Sequence, residues 1–143
     1  MSMTHDPLAP YRKAPPTAKD GGELPEWRDE YEAFAAKDKV SRLRIRSMAA
    51  PVNAPGYNIL LNVIYDNQYT NFILVYSVLH VLVQGRNLQK VVFAIENDLA
   101  DYIQEYDLRR WAKPKDPAAP FIESIVITVI DGNGANTSTV TKH

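Results

Sequence analysis

Residues 71–85, NFILVYSVLHVLVQG, decide how this chain folds. Read as a strand, they place Phe72, Leu74, Tyr76, Val78 and Leu82 on one face and Ile73, Val75, Leu79, Val81 and Val83 on the other. Both faces are apolar, so the segment belongs inside. Globular strands run about 3–10 residues, and this stretch is longer. It therefore either bends near Ser77 to serve two sheet regions or runs as a buried helix; its valine and isoleucine content favours strand. The apolar part, Phe72 to Val83, is interrupted by Ser77 and His80 and falls well short of the roughly 20 residues that cross a bilayer. A core segment is expected, with no membrane span.

Upstream, YNILLNVIYD is rich in aliphatic and β-branched residues, and Asp66, Asn67 and Gln68 supply turn chemistry before Thr70, which predicts a hairpin. Further back, Leu43 and Ile45 alternate with Arg42, Arg44 and Arg46, the pattern of a half-exposed strand. Earlier still, LPEWRDEYEAFAAKD begins with Pro25 at a helix-start position, followed by Glu26, Asp29 and Glu30 near the positive end of the dipole. Trp27, Tyr31 and Phe34 form a helical stripe, so a helix over about 25–38 is expected.

Downstream, Leu88, Val91, Val92, Ile95, Leu99, Tyr102, Ile103 and Tyr106 recur at helical spacing and predict an amphipathic helix over about 87–106, with Asn87 as N-cap. Asp98, Asp101, Glu105 and Asp107 oppose the dipole at its C-terminal end, and a break near Asn97 and Asp98, with Asp98 capping a second short helix, would relieve that conflict. Pro114, Pro117 and Pro120 predict a non-helical crossover, and IESIVITVI a further strand. The fold class that follows is α+β: one small domain with a curved, mainly antiparallel sheet or small barrel, and two helices packed on it. Its limits are 25–131. Residues 1–24, with Pro7, Pro10, Pro15 and Pro16, read as a flexible proline-rich arm, and 132–143 as a polar tail or an edge strand.

The chain has 143 residues, a formal net charge of -1 and no cysteine. No global field draws it to nucleic acid, and no disulfide or thiolate chemistry is open to it. The N-terminal MSMTHDPLAPYRKAPP has no signal-peptide core, so the cytoplasm is the expected address.

The catalytic inventory is thin. Of three histidines, His5 lies in the arm and His143 at the terminus; His80, inside an apolar strand, reads as a core or face histidine rather than a base. There is no GxSxG elbow and no zinc spacing, so no catalytic residue, metal or cofactor is expected. Carboxylates cluster at Glu96, Asp98, Asp101 and Glu105, and spacings of three or four put some of them on one helical face in this reading; a solvated face explains them better than a cation site. VLVQGRNLQKVV, residues 81–92, fits neither phosphate-loop motif, because one glycine cannot supply successive open N–H groups. Arg86 and Lys90 still place two cations beside a helix start, where an anion would be welcome.

Two functions remain. The first is a non-catalytic binding or assembly module that forms homo-oligomers through strand edges or helix faces, with no identifiable small-molecule substrate. The second is RNA or single-stranded nucleic-acid binding through the face bearing Arg42, Arg44 and Arg46, joined by Arg86 and Lys90, with Tyr57, Tyr65, Tyr69 and Tyr76 as stacking surfaces.

Overall fold

The computed structural model describes Leu8, residues 29–130 and the backbone of Asn136–Ser138. Among these residues the chain forms β1 (Phe34–Ala36), β2 (Arg44–Arg46), β3 (Leu60–Tyr65), β4 (Asn71–Tyr76), β5 (Leu79–Arg86), α1 (Gln89–Glu96), β6 (Ala100–Gln104), β7 (Phe121–Ile130) and β8 (Asn136–Ser138). A 3₁₀ turn, Tyr57–Ile59, precedes β3.

The stretch 71–85 is neither one bent strand nor a helix. It reverses at Ser77 and Val78, so β4 and β5 pair antiparallel, with Phe72 opposite Val83 and Leu74 opposite Val81. A two-residue reversal puts Phe72, Leu74, Tyr76, Leu79, Val81 and Val83 on one buried face. Ile73, Val75, His80 and Leu82 take the outward face and are half-buried. The division of faces expected for one continuous strand fails from Val78 onward for this reason.

β7 pairs along the length of β5, and the expected β3–β4 hairpin forms, giving a five-stranded antiparallel sheet in the order β3-β4-β5-β7-β8. A second sheet, β1-β6-β2, has β2 parallel to its centre. Among the described residues the protein is mostly sheet, with one α-helix and two sheets that do not close into a barrel, which corrects the α+β expectation.

Both helical expectations fail where helix propensity meets a ladder partner. In the segment assigned to a helix over 25–38, Phe34–Ala36 are a strand buried on all sides and paired with β6. Small alanines fit there without crowding, and their propensity is worth only tenths of a kcal/mol per residue. The helix expected over 87–106 stops at Glu96. Asp98 turns the chain with φ 57, and Ala100–Gln104 run on as β6, bonded to β1 on one side and β2 on the other. The break falls where the acidic groups opposed the dipole, but a strand follows instead of a second helix. Asn87, at φ 58, gives its side-chain amide to the carbonyls of Pro117 and Ala119 and caps no helix; Leu88 holds the N-cap position.

Tyr31 ties the sheets together. Its hydroxyl donates to the Gln104 carbonyl at the end of β6 and accepts from the Ile122 N–H on β7 at 3.3 Å. Its ring lies 5.2 to 5.4 Å from those of Tyr106, Trp111 and Phe121. Burial pushes its pKa far up, so it stays a neutral donor. Leu8, within the segment read as an arm, is fully buried and joins the core; the rest of 1–24 lies outside the described residues. At the other end, β8 adds to β7, while the remainder of 132–143 lies outside them.

Two core positions give direct tests. Between Gln84 and Gly85 the β5–β7 register slips by one residue, and a Cβ on Gly85 would lie 1.9 Å from the Phe121 carbonyl oxygen. Gly85 is thus a structural glycine at a bulge, and Gly85→Ala should cost about 3 kcal/mol in urea unfolding. The Tyr76 hydroxyl is buried without a hydrogen-bond partner, and burial alone pushes its pKa up. Tyr76→Phe removes an unsatisfied group and should leave stability unchanged or raise it by about 1 kcal/mol; a loss larger than that would reveal a hidden partner.

Candidate assembly surface

The basic residues marked in the sequence do not converge. Arg42, at an isolated bridge to Gly56, donates to the Ala54 carbonyl at 2.9 Å. Arg44 pairs with Asp101 at 2.7 Å, and the Arg46 guanidinium lies 4.3 Å from the centre of the Tyr102 ring. Arg86 stands on the other sheet, 3.4 Å from Glu123 and over the Phe121 ring. Lys90 lines a groove with Tyr65, Tyr69 and Phe93, whereas Arg42 lines a different one with Ser41, Tyr57 and Asp98. The five cations are spread over both sheets and α1, and the arginines hold acceptors or rings of their own chain.

Of the proposed stacking tyrosines, Tyr57 and Tyr76 are buried. His80 sits in the ladder between Val75 and Thr128 on the outward face of the large sheet. The acidic residues read as one helical face also separate: Glu96 ends α1, Asp101 holds Arg44, and buried Glu105 accepts from the Met48 N–H at 3.1 Å and the Ser47 hydroxyl at 3.4 Å. Among the described residues no group of three or more His, Asp or Glu is placed to hold a metal ion.

What the fold does bring together is the seam between β3 and α1. β3 is an edge of the large sheet, and its sequence LLNVIY carries neither charge nor proline. Charge and proline are two of the devices by which natural edges discourage pairing with another chain; a third, an irregularity in register, is present at one end of β3, between Leu60 and Asn62. Leu61 is 66% exposed, Ile64 49% and Tyr65 37%, and Phe93 on the adjoining helix is 42% exposed. At the β4 end of the hairpin, the Asp66 N–H donates to the Asn71 carbonyl, so by the two-residue alternation Val63 and Tyr65 turn their N–H and C=O groups to the open side.

A groove follows this edge. One depression is lined by Tyr65, Tyr69, Lys90, Phe93 and Glu96, and the next by Leu60, Leu61, Val63, Ile95, Glu96 and Asp98. They share Glu96, so α1 runs antiparallel beside β3, its first turn at Tyr65 and its end near Leu60. The Tyr65 hydroxyl donates to the Glu96 carboxylate, and that bond, with the nearby negative charge, holds the Tyr65 pKa above its usual value. Tyr65 and Tyr69 stack with centroids 5.4 Å apart.

Compared with known proteins, the chain matches no family model, no curated protein and no solved structure. Among the described residues, no helix is long and apolar enough to cross a membrane.

The edge was missed in the sequence because strand order is invisible there. LLNVIY showed its apolar, uncharged character, but only the pairing pattern reveals that it ends a sheet. Tyr69 carries a second signal. It adopts φ 57 in the hairpin turn, where glycine or asparagine costs less, and its ring is held against Tyr65 beside the groove.

Asp66 fastens that hairpin. Its carboxylate accepts from the Thr70 N–H at 2.9 Å, the Thr70 hydroxyl at 2.8 Å and the Asn71 N–H at 3.2 Å. The Thr70 hydroxyl bond leads in lowering its pKa. A depressed carboxylate stabilises the fold above the ordinary carboxylate range, and that contribution disappears as pH falls through and below it. Asp66→Asn should therefore be less stable than the parent at pH 7, and the gap should shrink as pH drops below about 4. A gap independent of pH in thermal melts would show that the charge is not what matters.

Proposed function

We propose that this protein is a non-catalytic assembly module that forms homo-oligomers by edge-to-edge pairing of β3. The observation that carries the reading is the uncharged, proline-free edge strand with Leu61, Ile64 and Tyr65 bared along it. A second copy meets such an edge without charge repulsion, and two-fold pairing uses the same patch on both partners. Energy argues for one surface acting as a whole. A ladder hydrogen bond contributes about 1 kcal/mol net and a newly buried apolar side chain about 1–2, whereas association costs at least about 4.

The nucleic-acid reading gains less from the structure, because Arg42, Arg44, Arg46 and Arg86 already hold partners within the chain. The zero cysteine count supports a reducing, cytoplasmic setting.

Sedimentation equilibrium of the intact chain tests the reading. Mass should rise above that of one 16.1 kDa chain as concentration increases. Ile64→Lys, which places a charge on the edge without removing a ladder bond, should hold the protein monomeric with its melting temperature little changed. A parent that stays monomeric at every concentration overturns the proposal, as does an Ile64→Lys variant that associates like the parent.

A further inference from the structure

The ladders that build the large sheet also line up its outward side chains. Ile64, Ile73, Leu82 and Val126 stand opposite one another across β3, β4, β5 and β7, and so make one apolar row over four strands. The next row runs through Asn62, Val75, His80 and Thr128. Neither row contains a lysine, arginine, aspartate or glutamate. On the other side of the apolar row, Asn71, Gln84 and Ser124 form a polar one, in which the Ser124 hydroxyl donates to the Gln84 side-chain carbonyl at 3.2 Å.

An antiparallel sheet with one face in water ordinarily turns polar side chains to that face. The inward face here already supplies the core, with Phe72, Leu74, Val81, Val83, Ile125 and Ile127 fully buried. The outward apolar row stands apart from that core. Ile64 is 49% exposed, and Ile73, Val75, Leu82 and Val126 are half-buried. Contiguous apolar surface of this kind marks a contact surface.

Shape and charge narrow the partner. Ile73, Val75, Leu82 and Val126 line none of the grooves beside Tyr65, Tyr57 and Tyr31, and a pleated apolar face without a groove is matched by another sheet stacked about 10 Å away. The small sheet is committed to the inward side, where Ile45 and Ile103 share one buried cluster with Leu74 and Ile127. A second copy brings a matching face, and two uncharged faces meet without repulsion. Five strands about 4.8 Å apart by six residues of about 3.4 Å give roughly 500 Å² in projection per copy, on the order of 1,000 Å² for two, which is the small end of specific interfaces. That area suits a reversible pair.

We infer that a second copy of this chain stacks on the outward face of the large sheet, apolar row against apolar row, so that two sheets from two molecules enclose a further core. This contact goes beyond the β3 edge. Edge pairing extends the sheet in its own plane, whereas stacking adds a layer on top of it and stands without the edge.

Ile64 belongs to both the row and the edge, so the test is made on β7. In the full chain, Val126→Lys places a charge in the row three strands away from β3, and should raise the dissociation constant in sedimentation equilibrium about tenfold or more. Val126→Thr keeps the β-branched shape and should raise it about fivefold, with the melting temperature little changed. Nuclear Overhauser contacts between isotope-labelled and unlabelled copies, at a concentration where the parent associates, read the surface directly. They are expected among the methyl groups of Ile73, Val75, Leu82 and Val126. An associating parent whose methyls on this face show no such contact, or a Val126→Lys variant that associates like the parent, overturns the stacked pair and leaves the β3 edge to account for assembly. Contacts on this face with none at Leu61 or Tyr65 uphold stacking and remove the edge reading. A parent that stays monomeric at every concentration removes both.

Discussion

The pairing of β5 with β7 is the constraint on which the rest of this structure depends. It joins a strand from the middle of the chain to one near its end, running from Leu79 opposite Val129 to Arg86 opposite Phe121. With β4 already folded back on β5, this ladder places three apolar strands side by side and buries one face of each. It also fixes what lies at the margins. β7 takes the inner place beside β5, so β3 has a neighbour on one side alone. The bulge at Gly85 is the local adjustment that lets the ladder continue to Phe121, where the Tyr31 aromatic cluster joins the second sheet.

Much of the strand structure was legible in the residues. The β3–β4 hairpin, the strand at Arg44 to Arg46 with Ile45 turned inward, and the long β7 all follow from period-two patterns and turn residues. Three elements were not. The reversal at Ser77 and Val78 carries neither the glycine nor the asparagine that marks tight hairpin turns, so nothing local announces it. β1 is an alanine-rich segment with good helix propensity, and it is a strand because β6 offers it a ladder. β6 follows α1 after only a three-residue turn, and its Tyr102 and Ile103 happen to continue the helical spacing. In both cases a weak local preference yields to hydrogen bonds with distant residues.

The candidate surface was less legible than the fold. The arginines drew notice because charge is easy to read in a sequence, yet a guanidinium is informative only once its partners are known. Arg44 beside Asp101 and Arg86 beside Glu123 serve the fold's own surface. The β3 edge, by contrast, is conspicuous for lacking charge, and a lack means little until strand order shows which strand ends the sheet. Strain at Tyr69 reinforces the point: a bulky residue at positive φ costs energy, and stacking on Tyr65 beside the groove is the return visible in the structure.

The central claim is that the open side of β3 closes when two copies meet. Amide hydrogen exchange, followed residue by residue at low and high protein concentration, addresses it most directly. In the proposed assembly the Val63 and Tyr65 amides exchange freely in the dilute protein and become protected as concentration rises, while the inner strands β4 and β5 keep the same protection throughout. Val63 and Tyr65 amides that exchange at the same rate at both concentrations, in a protein whose mass has doubled, would contradict pairing at this edge.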